Sequence, residues 1–152
     1  MRRQLVIVMA LIILAADQVA AYDLSQHQWR HRLLFLIAPE SDDPDLSAQR
    51  RDIERRRDAM LDRDLRVFLL LPEHGFVEDH ALPARTVAKL RAQLGVTPED
   101  RLLILIGKDG GEKRRGELRT DLRDIFLQVD AMPMRRDEVR AKREADRDIT
   151  SP

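Results

Sequence analysis

Three short apolar runs mark the centre of the chain, at residues 33–37, 67–71 and 102–106. Each has the length of a strand, and none alternates apolar with polar side chains. Continuous apolar runs are typical of strands whose two faces are both buried, as in a sheet with helices on each side. Buried helices are the alternative, but runs this short favour strands.

The segments between these runs carry helix signals. An apolar stripe with a seven-residue repeat predicts one long helix over residues 44–62, capped by Ser41 or Asp43. A second helix is predicted over residues 84–94, because its apolar positions share one face and Gly95 follows directly. The polar face of the first helix is rich in arginine, which suits phosphate or an acidic polymer. Its interleaved acids favour a solvated face whose charges pair with one another.

The C-terminal third continues the pattern. Asp109-Gly110 is a strong hairpin signal and predicts a fourth strand over residues 112–115. Apolar residues at helical spacing predict a further helix from Leu118 to Met132, where Pro133 ends it. Residues 135–152 are mostly charged, with Val139 and Ile149 as their only large apolar residues, and we expect a frayed helix or a disordered tail over residues 139–152.

The order of these elements predicts an α/β domain. A strand–helix–strand unit requires a right-handed parallel crossover, and the Asp-Gly turn makes the last two strands antiparallel. The result is a four-stranded mixed sheet with helices on both faces. This topology is that of the thioredoxin-like fold.

The N-terminus has the features of a signal peptide. Arg2 and Arg3 precede an uninterrupted apolar run over residues 5–16, and small residues follow up to Ala21. Cleavage after Ala21 would leave Tyr22 as the first residue. A membrane anchor is an alternative, although spanning a bilayer takes about 20 apolar residues. A buried element of the fold is the other, but it leaves the two arginines unexplained.

This interpretation divides the chain into three parts. Residues 1–21 form the signal peptide, residues 22–138 the thioredoxin-like domain and residues 139–152 the charged tail. We therefore expect a periplasmic or secreted protein that meets the membrane only transiently, through its signal peptide. Retention in the membrane by an uncleaved N-terminus remains the alternative.

Composition narrows the function classes further. The 152 residues contain 27 basic and 27 acidic side chains and no cysteine. The lack of cysteine excludes disulfides, thiolate metal sites and thiol nucleophiles in this sequence. The balanced charge gives no electrostatic reason to expect a nucleic-acid partner.

Several stretches carry a family resemblance. They are Trp29, residues 32–39, 62–64 and 106–113, and the segment 130–138 with its Met-Pro-Met-Arg-Arg string. Together they resemble a bacterial family of exported thioredoxin-like proteins, domain of unknown function 4174, which is related to domains in animal extracellular-matrix and sushi-repeat proteins. The resemblance implies a thioredoxin-like fold and, for the bacterial members, no established activity.

The sequence departs from true thioredoxins where their chemistry lies. Thioredoxins carry Cys-x-x-Cys at the start of the helix after the first strand of the unit, where the helix dipole lowers the thiol pKa. Residues 38–44 occupy that place and contain no thiol. Thioredoxins also have a cis-proline directly before the third strand, whereas Arg101 precedes Leu102 here. Thiol–disulfide oxidoreductase and peroxidase activities are therefore excluded.

The remaining candidates are binding residues. The segment 130–136 carries more charged and methionine residues than a helix end requires, so we expect binding residues there at Asp130, Arg135 and Arg136. We add Lys108, which would lie nearby if the hairpin packs against this segment, and Trp29 as a further candidate contact. The two arginines suit a carboxylate or a phosphate. The alternative is structural, with Asp130 pairing with an arginine to hold the last helix on the sheet. We predict a redox-inactive, non-enzymatic module that binds a protein or an envelope component.

A second class of function uses polar groups instead of thiols, in an enzyme or a ligand- or metal-binding protein. His27 and His31 are four residues apart and can share a helical face. With His74 and His80 they would allow zinc or copper to bind if folding brought the pairs together. Four scattered histidines are more typical of a surface, so we predict no metal and no other cofactor.

Overall fold

The computed structural model describes residues 23–150, with the side chain of the last of these left out, so the predicted signal peptide lies outside the described residues. Six strands form within this range. They are β1 (Arg32–Ile37), β2 (Leu65–Leu70), β3 (Gly75–Val77), β4 (His80–Leu82), β5 (Leu102–Ile106) and β6 (Glu112–Glu117). The helices are α1 (Pro44–Arg55), α2 (Arg57–Asp62), α3 (Ala84–Leu94), α4 (Leu122–Asp130) and α5 (Pro133–Thr150). A 3-10 helix, Leu24–His27, precedes β1.

The strands form one mixed sheet in the order β4-β3-β2-β1-β5-β6. The neighbours β1 and β2 run parallel, and every other pair is antiparallel. The predicted parallel crossover and the hairpin at Asp109-Gly110 are both confirmed. The innermost strand, β1, has all six residues buried.

Helices cover both faces of the sheet, as the continuous apolar runs predict. Leu34 and Leu36 of β1 belong to the core that also contains residues of α1, α2 and α4. Phe35 and its neighbours on the opposite face pack with α3. Side chains alternate between the faces of a strand, so β1 supplies apolar groups to both cores.

Local sequence accounts for most helix ends. The Asp43 carboxylate accepts hydrogen bonds from the backbone N–H groups of Asp45 (2.8 Å) and Leu46 (3.0 Å), which caps α1. The C-terminal end of α3 is also the predicted one. Gly95 has a φ of 62° and ends this helix in the left-handed conformation that favours glycine. Both ends of α3 agree with the prediction.

The prediction of one helix over residues 44–62 is wrong. The chain leaves the helical ladder at Arg56, whose N–H bonds to the carbonyl of Ile53, and α2 begins after it. Neither glycine nor proline marks this break in the sequence. The predicted helix from Leu118 also starts later, since Asp121 provides the cap of α4.

The sheet has six strands instead of the predicted four because a short hairpin, β3–β4, extends it beyond β2. Its two-residue turn is Glu78-Asp79, between the paired residues Val77 and His80. Glu78 has a φ of 53°. Glycine or asparagine is usual at such positions. Because this turn contains neither, the hairpin could not be predicted from the sequence of its turn.

The charged C-terminal segment, for which the sequence led us to expect a frayed helix or a disordered tail over 139–152, is a helix through residue 150. Pro133 begins this helix, where its missing N–H costs nothing. The first turns of α5 are fixed by contacts with the rest of the domain, described below, and an ion pair between Arg140 and Asp137 supports the exposed side. Among the described helices, none is both long and apolar enough to cross a membrane.

Candidate functional site

The loop from β1 into α1 ends in a cluster of opposite charges. The Nε of Arg101, directly before β5, lies 2.5 Å from Oδ2 of Asp43, and the same guanidinium also pairs with Asp45. The hydrogen bond from Arg101 lowers the pKa of the Asp43 carboxyl below its usual value, and the capping N–H groups add to this. At this end of the sheet, the charge of the Asp43 carboxylate is therefore already paired within the protein.

The opposite end of the sheet carries a larger group of charges, which we call the basal cluster. Its bases come from the start of β1, the loop before β2, the turn after β5 and the first turn of α5. Its acids come from the end of α2, the loop before β2, the end of α4, and α5. The basal cluster consists of Arg32, Arg63, Lys108, Arg135, Asp62, Asp64, Asp130 and Glu138.

Glu138 occupies the middle of the basal cluster. Its two carboxylate oxygens accept hydrogen bonds from both terminal nitrogens of Arg32, at 3.1 and 3.2 Å, and Lys108 Nζ lies 2.7 Å away. Arg32 is only 1% exposed. Burial acts to raise the pKa of Glu138, but the hydrogen bonds from Arg32 and Lys108 outweigh it, so the pKa lies below its ordinary value. Glu138 is therefore the shared counter-charge of Arg32 and Lys108, and Asp64, which lies 2.7 Å from Lys108 Nζ, supplies a second negative charge.

Arg135 connects the end of α4 to the loop before β2. Its guanidinium donates to the backbone carbonyl of Asp62 at 2.6 Å and to the Asp62 carboxylate, and it reaches Asp130 at 3.3 Å. Asp130 also accepts from Arg63 at 2.7 Å. The guanidinium carbon of Arg63 lies 4.6 Å from the centre of the Phe126 ring, a cation–π contact. These contacts fix α5 and α4 to the sheet.

The basal cluster contains three of the five predicted binding residues. Lys108, Asp130 and Arg135 are all hydrogen-bonded within the protein. Arg135 is 7% exposed, whereas the neighbouring Arg136 is exposed and has no ion pair within the described part of the chain. The structure thus separates the two arginines that the sequence suggested as one surface. The structural alternative, in which Asp130 pairs with an arginine to hold the last helix, describes Asp130 correctly.

Trp29 lies beside the basal cluster but is turned to solvent. Its side chain is 62% exposed, and its φ of 67° is rare for a residue with a side chain. The backbone N–H of Trp29 donates to the carbonyl of Lys108 at 2.6 Å. The domain therefore holds a large aromatic side chain outward on a constrained backbone.

The two histidines of the N-terminal segment do come together. Their Nδ1 atoms are 3.4 Å apart, so one imidazole donates to the other, and the His27 ring packs edge-on against Phe68. They line a cavity of about 430 Å³ next to the turn after β5. Burial lowers the pKa of His27 to about 4, with smaller contributions from His31 and Arg66. At neutral pH the pair is therefore uncharged.

The four-histidine metal site that the sequence allowed does not assemble. Residues 23–150 contain no group of three or more His, Asp or Glu side chains arranged to hold a metal ion. Burial lowers the pKa of His31, and the positive charges of Arg66, Lys108 and Arg30 lower it further. The same positive charges oppose a bound cation.

A second depression, which we call the lateral groove, runs along the sheet beside α1 and α2. Its volume is about 680 Å³. The β3–β4 hairpin, which the sequence analysis missed, extends the sheet past the helices and forms one side of the groove. Phe76 of β3 lies in its floor, and Arg50 and Arg51 of α1 lie at its rim.

Sequence reasoning overlooked the acids and the arginine that organise the basal cluster. Arg32, Asp62, Asp64 and Glu138 all fall within the stretches that carried the resemblance, yet none was singled out. Arg32 lies just before the apolar run at residues 33–37 and therefore outside the part of the strand that the run predicts. Its position inside a fully buried strand is the signal that could have identified it, because buried arginines require partners.

Replacing Glu138 with Gln tests whether the basal cluster stabilises the fold. The substitution leaves Arg32 and Lys108 buried without their shared counter-charge, so we expect the free energy of unfolding to fall by about 3 kcal/mol. Urea unfolding at neutral pH measures this change. Asp137→Asn is the matched control, since Asp137 is exposed and, among the described residues, its one ion pair is with Arg140. It should change stability by less than about 0.5 kcal/mol. Equal effects of the two variants would contradict a stabilising role.

The buried histidine pair predicts a pH dependence of stability. The unfolded chain takes up a proton on His27 near pH 6.5, whereas the folded protein does so only near pH 4. The free energy of unfolding should therefore fall as the pH drops through this window. His27→Phe removes this titration and should make the fall shallower than in the wild type, as measured by urea unfolding across this pH range. An unchanged slope in the variant would argue against the assignment.

Comparison with protein families gives one result. A family model described as a domain of unknown function, DUF4174, matches residues 23–138, which is most of the described chain. A search of curated proteins finds no match. The matched range begins before the 3-10 helix and ends at Glu138, so it includes every member of the basal cluster. The chain therefore belongs to the family of domains of unknown function DUF4174.

Proposed function

We propose that this protein is an exported, redox-inactive domain of thioredoxin-like fold that binds a protein or another component of the cell envelope. The sheet order supports the fold relationship. Without the β3–β4 hairpin, the strands are ordered β2-β1-β5-β6, with β1 and β2 parallel and β5 and β6 antiparallel. These four strands have the parallel crossover and the antiparallel last pair that the sequence analysis expects of a thioredoxin-like fold.

The proposed lack of redox activity rests on residue identity. In a thioredoxin-like arrangement, the loop between β1 and α1 is where the thiols would be, and here it reads Ala-Pro-Glu-Ser-Asp-Asp-Pro. Asp43 caps the helix and pairs with Arg101. Serine has no thiol–disulfide couple, and the bound carboxylate of Asp43 occupies the helix N-terminus that activates a thiol in true thioredoxins.

The observation that carries the binding role is the exposure of Trp29. The Trp29 side chain is mostly exposed, so a large apolar surface is in contact with water. The backbone at Trp29 is strained, because its φ is positive. Tryptophan and arginine are the residues that contribute most often to the energy of protein interfaces. Arg136, which follows Arg135 of the basal cluster in sequence, is exposed and makes no ion pair with any of residues 23–150. We therefore place the partner contact at Trp29 and Arg136.

A capture experiment tests this surface. Tagged protein is crosslinked in extracts of its own cell envelope, and captured components are quantified for the wild type and for Trp29→Ala and Arg136→Ala. Both substitutions are at exposed side chains, so we expect intact folding by circular dichroism and at least about a tenfold loss of the specific partner. Leu127→Ala, also at an exposed apolar residue, is the control and should capture it normally. Undiminished capture by both variants would refute the assignment.

Export is tested separately. The order of a basic start, an apolar run and small residues supports cleavage after Ala21. N-terminal sequencing of the protein recovered from the periplasm or medium should begin at Tyr22. An intact Met1 on membrane-bound protein would favour the uncleaved anchor instead.

A further inference from the structure

The lateral groove has an apolar floor with no free main-chain groups. Val67 and Leu69 of β2 and Phe76 of β3 lie on the same face, and Leu69 and Phe76 are direct partners across the two strands. Strand β2 pairs with β1 on one side and with β3 on the other. Because the ladder uses the polar groups of this backbone, the floor offers an occupant apolar side chains only.

The rim of the lateral groove carries positive charge that is not neutralised. Arg57 pairs with Glu54 at 3.5 Å, and Glu78 on the hairpin side pairs with Arg66 at 3.7 Å. Arg50 and Arg51 are exposed and have no ion pair with any described residue. The sequence analysis favoured a face whose charges pair with one another, and these two arginines are exceptions to it.

Asp79 adds direction to this charge pattern. It lies at the hairpin side of the groove and has no ion pair in the described structure. An anionic group is therefore favoured at the α1 side, near Arg50 and Arg51, and disfavoured at the hairpin side. At the lip of the groove, Leu61 is 60% exposed and extends the apolar surface outward.

We infer that the lateral groove binds a single-chain amphiphile with an anionic head, of the class of long-chain carboxylates. The alkyl chain lies over Val67, Leu69 and Phe76, and the carboxylate is held by Arg50 and Arg51, whose guanidinium groups suit a bidentate contact. The volume of about 680 Å³ is within the range of about 300–1,000 Å³ that is typical of small-molecule sites.

An alkyl chain fits this floor better than an extended peptide does. A peptide would bring N–H and C=O groups against the apolar side chains, where the paired strands offer them no hydrogen bonds, and burying them unpaired is costly. An alkyl chain has no such groups. The charge pattern requires only one anionic end, which a long-chain carboxylate supplies.

Isothermal titration calorimetry with dodecanoate, below its micelle concentration, tests the inference. The purified protein should bind it saturably with one site per chain. The double variant Arg50→Gln/Arg51→Gln keeps the fold, since neither residue makes an ion pair, and should bind about tenfold more weakly. The control Arg114→Gln/Arg123→Gln removes the same charge outside the groove and should bind as the wild type does.

Dodecanol separates the two parts of the site. It lacks the carboxylate, so it should bind the wild type and the Arg50→Gln/Arg51→Gln variant equally. Phe76→Ala should weaken both ligands, because it removes apolar surface from the floor. The inference is overturned if dodecanoate shows no saturable binding, if it binds the Arg50→Gln/Arg51→Gln variant unchanged, or if an envelope peptide crosslinks to the groove and dodecanoate does not displace it.

This site is independent of the partner surface at Trp29 and Arg136. The Trp29→Ala and Arg136→Ala variants should therefore bind dodecanoate as the wild type does. Failure to bind dodecanoate would remove the amphiphile site and leave the capture experiment unaffected, so the two proposals fail separately.

Discussion

Neutralisation of Arg32 is the constraint on which much of this domain depends. The residue opens the innermost strand, where every position is buried, and its guanidinium is almost inaccessible to water. A buried cation is tolerable only with a counter-charge and hydrogen bonds, and Glu138 and the carbonyl of Arg63 provide them. Because Glu138 also binds Lys108, a single carboxylate joins β1, the turn after β5 and α5.

The sheet was largely predictable because its information is local. Each apolar run indicated a strand that is buried on both faces. Asp43 and Gly95 indicated helix ends, and Asp109-Gly110 indicated a turn, because these residue types favour such conformations. The β3–β4 hairpin was not predictable in this way, since Glu78 adopts its turn conformation through sheet pairing and not through its own preference. Composition alone likewise did not decide between a helix and a disordered tail for α5, because the contacts that hold its first turns join residues far apart in sequence.

The candidate site was predictable only in part. From the sequence, Lys108, Asp130 and Arg135 were proposed as binding residues. Whether such charged side chains form ion pairs inside the protein or remain free to contact a partner depends on residues far away in sequence. The lateral groove was also predictable only in part. Its arginines were visible in the sequence, whereas the apolar floor exists only because two strands and a hairpin meet.

The ion pair between Arg32 and Glu138 also orders events in time. The two residues are 106 positions apart, so the first strand of the sheet lacks this counter-charge until Glu138 has been synthesised. Closing so long a loop costs entropy before the contact repays it. An emerging chain that ends before α5 therefore holds Arg32 without its counter-charge, and its sheet lacks the stabilisation that the ion pair gives the domain.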